Sequence, residues 1–156
     1  GSEIDESIIR YLQKKYQVAI GSIAAEKIKI EAASVLPMED KGDPISIVGK
    51  DMFTGIPRNL KIPRDEIREA IEEPVSAIID SVKRALEKLP PEFVSDLHEA
   101  GMVLTGGGAM LKGLNKRIET ETDIRVRVID DPLFSVVLGS GRAIEDMGRY
   151  KKVFIN

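Results

Sequence analysis

Apolar residues open the chain at helical spacing. Ile4, Ile8, Leu12 and Tyr16 stand four apart, with Ile9 and Tyr11 beside them. This predicts a helix over residues 3–17, and Ser2 followed by Asp5 resembles its cap. Gly21 then separates a second helix, from Ser22 to about Ala33, in which Glu26, Lys27, Lys29 and Glu31 interrupt Ile23, Ala24, Ile28 and Ala32. A polar loop, Pro37 to Pro44, leads into Ile45-Ser46-Ile47-Val48, which alternates like a strand. Asp51 to Pro57, with Thr54-Gly55, reads as a hairpin loop, and Asn59-Leu60-Lys61-Ile62 as the returning strand. Such a ribbon is too small to stand alone and must pack on the neighbouring helices. Residues 19–64 therefore read as a small α/β lobe.

Beyond it the pattern is mainly helical. Ile67, Ala70 and Ile71 mark a helix from Arg64 to Glu72, and Pro74 is placed as the first residue of the next. Val75, Ile78, Ile79, Val82, Ala85, Leu86 and Leu89 give that next helix a core stripe, which Pro90-Pro91 stops. Glu92 to Ala100 adds a short helix closed by Gly101. Met102-Val103-Leu104 reads as a short buried strand, followed by Thr105, the triplet Gly106-Gly107-Gly108, and an amphipathic helix through Ala109, Met110 and Leu111. Ile124 to Val128 is a second strand, and Asp131-Pro132 starts a last helix through Phe134, Val137 and Ile144 to about Gly148. Strand, helix, strand in this order implies parallel neighbours. Two parallel strands make a stunted sheet, so the second lobe reads as part of an interrupted one.

The 156 residues are 42% hydrophobic and 31% charged with a formal net charge of -3, enough for one compact unit or two small lobes. No basic run is long enough to track a phosphate backbone, which argues against a nucleic-acid partner. The absence of cysteine excludes a disulfide scaffold, a thiolate metal site and cysteine catalysis, and is compatible with a reducing cytoplasm. No apolar run approaches the roughly 20 residues of a membrane span. Gly1-Ser2 reads as a cloning remnant, so the chain is expected to be an excised piece of something longer.

Two constellations bear on chemistry. A strand, a glycine turn and a helix N-terminus expose backbone N–H groups and a positive dipole end, where a nucleotide is the natural guest. The same pattern also serves as a tight strand-to-helix turn. Glu26 and Lys29 share one helix face, with Lys27 beside them, so a carboxylate and an ammonium point together as a grip for a ribose and the edge of an adenine. Read from these residues alone, a solvated helix face with an ion pair is the plainer account. His98 has no second histidine or cysteine to share a metal, and no serine lies in a G-x-S-x-G elbow. G-x-x-x-x-G-K-[ST] and G-x-G-x-x-G are absent as well, so no catalytic residue and no metal ligand is assigned.

The order of short motifs carries a collective signal. Ala25-Glu26-Lys27-Ile28-Lys29-Ile30-Glu31 after Gly21, Val48-Gly49-Lys50-Asp51, Thr54-Gly55-Ile56-Pro57, Glu66-Ile67-Arg68-Glu69-Ala70, Leu86-Glu87-Lys88-Leu89-Pro90-Pro91-Glu92, Met102 to Ala109 and Asp131-Pro132-Leu133 resemble the MreB family of bacterial actin-like proteins, over almost the whole chain. The resemblance implies the C-terminal half of an α/β, actin-like ATPase fold of the actin/Hsp70 superfamily. It comprises outer subdomain IIB and the later part of inner subdomain IIA, with an incomplete parallel or mixed sheet and helices. The expected division is an inner-subdomain helix at 1–18, the IIB-like subdomain at 19–64, the incomplete IIA-like subdomain at 65–148 and a tail at 149–156.

The resemblance further implies ATP as cofactor. Gly106, Gly107, Gly108, Ala109 and Met110 would line its adenine and α-phosphate side, while Glu26, Lys27, Ile28 and Lys29 would cover the base and ribose. Mg²⁺ would sit on the phosphates in the intact protein, its ligands outside this piece. The family's two phosphate-binding hairpins, one in each half and each rich in Asp, Gly and Thr, are missing from this sequence, and the acidic residue that orients water is expected upstream of it. The piece alone is therefore expected not to hydrolyse ATP. The implied partners are the chain itself, in a filament or a strand-edge dimer around Val126, and the cell-shape machinery. Membrane contact is expected only through the other half, and the location is cytoplasmic, as membrane-associated filaments of the intact protein. A nucleotide-independent assembly module is the alternative, and an unrelated α/β regulatory domain a third.

Overall fold

A computed structural model describes residues 2–34, 42–105, 111–129 and 135–138, with Ser2 and the last four described for their backbone alone. Among the described residues eleven elements follow one another: α1 (Ser2–Tyr16), β1 (Val18–Ala19), α2 (Ser22–Ala32), β2 (Ile45–Asp51), β3 (Pro57–Ile62), α3 (Arg64–Glu87), α4 (Pro91–Ala100), β4 (Met102–Thr105), α5 (Leu114–Thr122), β5 (Val126–Ile129) and β6 (Ser135–Leu138). The chain divides into two compact units, one up to Pro74 and one from Val75 on.

In the first unit the predicted helices and hairpin form nearly where the periodicity places them. Ile4, Ile8 and Leu12 of α1 are buried, as are Ala25, Ile28 and Ala32 of α2 and Ile67, Ala70 and Ile71 of α3. α1 packs on α2 and β1. The ribbon is larger than expected, an antiparallel sheet in the order β1-β2-β3. β1 has only two residues, too few for any alternation to be read, and pairs Val18 with Asp51 and Ala19 with Lys50. β2 and β3 pair from Ile45↔Ile62 to Lys50↔Pro57. Ile45, Ile47 and Gly49 face inward while Ser46, Val48 and Lys50 face water, the alternation of a half-buried sheet.

At the hairpin tip Asp51 acts as a clasp. Its Oδ1 accepts hydrogen bonds from the backbone N–H groups of Phe53 and Thr54, each at 2.9 Å. Those bonds, from Thr54 and Phe53, hold the Asp51 carboxyl below its ordinary pKa. The Gly55 N–H reaches the Asp51 carbonyl at 2.8 Å, with Gly55 at φ 74°, where glycine is favoured.

The long helix corrects an expectation. Arg64 to Glu87 is one helix with Pro74 inside it, rather than two helices meeting at Pro74. A proline removes one backbone hydrogen bond and costs about 3 kcal/mol in a helix interior. The apolar stripe runs unbroken across it through Ile71, Val75, Ile78, Ile79 and Val82, all buried. Burying several such side chains, at roughly 1.5–3 kcal/mol each, outweighs the local defect.

The second unit has a sheet in the order β5-β4-β6. β4 and β5 are parallel, as expected, paired from Met102↔Val126 to Thr105↔Ile129. The expected last helix is not found at residues 135–138. Ser135-Val136-Val137-Leu138 is a strand, antiparallel to β4 from Thr105↔Ser135 to Met102↔Leu138, and the rest of residues 130–156 lies outside the described set. The edge of β4 opposite β5 offers backbone partners, and two adjacent valines suit an extended chain. Gly101 closes α4 at φ 79°, and a Cβ there would lie 2.9 Å from the Arg125 carbonyl oxygen. Leu97, Met102, Leu104, Leu111, Leu114, Ile118 and Val126 are buried in this unit.

A single methyl group tests the first sheet. A Cβ on Gly49 would lie 2.1 Å from Val18 Cγ1 and 2.9 Å from the Ala19 carbonyl oxygen, so β1 fits only against a bare backbone. Gly49→Ala is expected to destabilise the protein by roughly 1–3 kcal/mol through overpacking, read as a lower urea midpoint. Gly21→Ala, whose Cβ would meet nothing within 4 Å, is expected to stay within about 1 kcal/mol of the parent.

Candidate functional site

α2 presents the charged residues singled out above, and three contacts fix it. Its inner face buries Ala25, Ile28 and Ala32. Lys29 Nζ lies 2.9 Å from Asp5 Oδ1 in the first turn of α1, and both side chains are largely buried. At its C-terminal end, Arg64 donates from Nη1 to the Glu31 carbonyl at 2.9 Å and from Nε to the Asp43 carbonyl at 3.0 Å. A cation at that end complements the helix dipole and satisfies a carbonyl of the last turn. Glu26 and Lys27 are exposed on the outer side.

Beside this helix pair sits a charged cluster that sequence reasoning missed. Lys15 Nζ donates to Glu66 Oε1 at 2.7 Å and to the Tyr11 hydroxyl at 3.2 Å. The Tyr16 hydroxyl donates to Glu66 Oε2, and the Tyr11 hydroxyl to Glu69 Oε2 at 3.0 Å. Lys15 also lies 5.5 and 5.8 Å from the two tyrosine ring centres, within cation–π range. Burial, then the hydrogen bond to Glu66, pushes the Tyr16 phenol up to about 12. Partial burial works to raise the Glu66 carboxyl, but the hydrogen bonds from Lys15 and Tyr16 and the Lys15 charge outweigh it and hold the group low. The signal was present as spacing: Tyr11 and Lys15 are i,i+4 on α1, and Glu66 and Glu69 are i,i+3 on α3. The cluster is a clasp between α1 and α3.

In the second unit β4 delivers Thr105, buried, to the edge of the glycine segment. Gly106, Gly107, Gly108, Ala109 and Met110 lie outside the described residues. Of the helix expected through Ala109, Met110 and Leu111, only Leu111 is described; α5 begins at Leu114, after Gly113 in the left-handed conformation at φ 84°. A residue at positive φ cannot continue an α-helix, so residues 111–113 are not helical. α5 is tied to α3 by Lys83–Glu121 at 3.0 Å, and Glu119 Oε1 accepts the Val126 N–H at 2.8 Å where β5 begins.

A family model described as MreB/Mbl protein matches residues 1–152. The chain belongs to the MreB/Mbl family. The cell shape-determining protein MreB of Escherichia coli K12 is 43% identical over 145 residues, which are 93% of this chain and 42% of that protein. The cell shape-determining protein Mbl of Bacillus subtilis 168 is 36% identical over 152 residues, 97% of this chain and 45% of that protein. The chain thus spans less than half the length of these relatives. MreB5 of Spiroplasma citri bound to ADP has a similar structure, with a TM-score of 0.78 and 29% identity, covering 84% of this chain and 40% of that one. The MamK double helical filament, at 19% identity and a TM-score of 0.61, shares the fold. The fold is accordingly part of the actin-like α/β fold of MreB.

Within this member of the MreB family the four α2 residues part company. Glu26 and Lys27 are exposed and adjacent; Ile28 is buried in the core; Lys29 is engaged by Asp5. Among the described residues, no three histidine, aspartate or glutamate side chains come together as a metal site. No helix among them is long and apolar enough to cross a membrane.

Two measurements check this geometry. Lys29→Met leaves Asp5 largely buried without its cation and is expected to lower stability by roughly 1–3 kcal/mol, whereas Lys27→Met should change it by less than about 0.5 kcal/mol. Glu66 has a depressed folded pKa. Its contribution is therefore complete above the unfolded value, near 4.3, and is lost as pH falls through the folded value. The stability gap between the parent and Glu66→Gln, from urea unfolding across pH 3–7, should be widest above about pH 5 and close on acidification.

Proposed function

We propose that this chain is part of an ATP-binding, filament-forming protein that maintains rod cell shape in the bacterial cytoplasm, and that it supplies the adenosine side of the nucleotide site. The observation that carries the reading is the likeness to MreB5 of Spiroplasma citri, solved bound to AMPPNP and to ADP, together with relatives described as cell shape-determining. Glu26 suits a ribose, since a carboxylate accepts hydrogen bonds from both hydroxyls. The Lys27 ammonium beside it offers donors to the edge of the base. Gly106, Gly107, Gly108, Ala109 and Met110 are proposed to lie along the base and α-phosphate, where the absence of Cβ atoms permits close approach.

Mg²⁺ would neutralise phosphate charge when bound. The described acidic residues do not gather to hold it, so no step is assigned to it here. Turnover of phosphoryl groups depends on positioning and charge neutralisation, and this chain is proposed to contribute binding rather than that chemistry. Assembly with further copies of itself and with the cell-shape machinery belongs to the same proposal, with nucleic acid outside it.

Calorimetric titration of the chain with ATP, ADP and AMP tests the reading. Weak binding is expected, with the three nucleotides within a few-fold of one another because the recognised part is adenosine. Gly107→Asp should abolish it, and no phosphate should be released from ATP. ATP binding more than roughly tenfold tighter than AMP would overturn the proposal, as would hydrolysis that Gly107→Asp abolishes, or no heat with any of the three.

A further inference from the structure

α3 carries Pro74 in its interior, and the carbonyl that the proline deprives of a partner can be named. In an α-helix the C=O of residue i accepts from the N–H of residue i+4. Proline has no N–H, so the Ala70 carbonyl lacks its helical donor, and the proline ring also presses against that same group. Ala70 and Pro74 are both buried, where water is not at hand to replace the donor. A buried carbonyl without a donor is a costly defect. Here the Ser7 hydroxyl of α1, itself buried, donates to it at 2.5 Å.

Ser7 belongs to a row of contacts that binds α1 to the start of α3. Ser7, Tyr11 and Lys15 stand four apart, on one face of α1. They reach Ala70, Glu69 and Glu66 in that order, so the two helices run antiparallel and Ser7 stands nearest the proline. After Pro74, α3 is tied to α5 instead, through Lys83 to Glu121 and through Ser76 to Arg117. Pro74 is also the last residue of the first compact unit. Each end of α3 therefore has its own anchor, and the turn that lacks a backbone bond lies between them. Prolines are the usual cause of sharp bends in helices.

We propose that Pro74 is a hinge in α3 and that the Ser7 hydroxyl is the latch that holds it closed. With the bond made, the Ala70 carbonyl is satisfied and the helix continues through the proline. With the bond broken, that carbonyl must turn outward to find water, which opens the helix on one side and bends it. One hydroxyl thus sets the stiffness of α3 where the first unit ends. The hinge needs no nucleotide, so it stands or falls apart from the function proposed above.

A double-mutant cycle tests the latch. Pro74→Ala restores a backbone N–H to the Ala70 carbonyl, after which the hydroxyl is dispensable. In urea unfolding, Ser7→Ala should lower the folding equilibrium constant roughly tenfold or more in the parent, and less than about threefold when Pro74→Ala is present. Equal losses in the two backgrounds overturn the proposal. If Ser7→Ala alone does not fold, recovery of the fold on adding Pro74→Ala carries the same meaning, and no recovery overturns it. A distance measurement tests the hinge. The chain has no cysteine, so Asp65→Cys and Asp80→Cys place spin labels on either side of Pro74. Pulsed electron spin resonance should give one narrow distance distribution in the parent, a broader or shifted one with Ser7→Ala, and a narrow one again with Ser7→Ala and Pro74→Ala together. A distribution that Ser7→Ala leaves unchanged, or one already broad in the parent, overturns the hinge.

Discussion

The face of α1 that carries Ile4, Ile8 and Leu12 has to be hidden from water, and the first unit is organised around hiding it. All three side chains are almost fully buried. At roughly 1.5–3 kcal/mol each they outweigh any single exposed ion pair, which contributes about 0–1 kcal/mol. The polar contacts of α1 set direction rather than drive the packing. Asp5 meets Lys29 of α2, the Ser7 hydroxyl donates to the Ala70 carbonyl of α3, and Lys15 reaches Glu66. The Ser7 bond is buried, the Asp5–Lys29 pair largely so and the Lys15–Glu66 pair more exposed, and together they fix one rotational setting of the helices. α2 inherits its orientation from this: with Lys29 held and Ile28 buried, Glu26 and Lys27 are left facing outward.

Periodicity made most of this legible, and its failures have separate physical causes. α1, α2, the hairpin and α4 begin and end within a few residues of the pattern, because each buries one face and that face repeats at its own period. β1 escaped notice because two residues have no period. Pro74 misled because its local preference points to a helix start, while the buried stripe on either side of it forms one continuous ridge. Ser135–Leu138 misled for the opposite reason. Its spacing fits a helix face, yet what decides its conformation is an open strand edge, contributed by residues thirty or more positions upstream in β4. Single-sequence patterns carry no information about such an edge.

The candidate site divides along the same line. That Glu26 and Lys27 are exposed follows from helical phase, and phase can be read from sequence. That Lys29 turns to Asp5 depends on a neighbouring helix, and no spacing within α2 announces it. Ile28 sat among the expected binding residues because it lies within a family motif, but the core claims its side chain. A motif thus mixes residues proposed to meet a ligand with residues that pack, and burial separates Ile28 from its neighbours. The family assignment itself came from the order of many weak motifs, which is why it holds at 35–43% identity to curated relatives although no single motif specifies it.

The hairpin shows how a packing constraint becomes a surface property. Because Gly49 has no side chain, β1 lies close against β2, and Gln17, just ahead of β1, accepts the Met52 N–H at 3.0 Å. That bond anchors the first residue of the turn. The Asp51 carboxylate takes up the next two N–H groups, and Gly55 supplies the positive φ that returns the chain. With its backbone donors thus satisfied inside the loop, the tip has few polar groups left to offer a partner. What it offers instead is Met52, Phe53 and Ile56, held out on a frame that does not need to reorganise. A loop that spends its hydrogen bonds internally and holds its apolar side chains outward leaves hydrocarbon that water solvates at a cost.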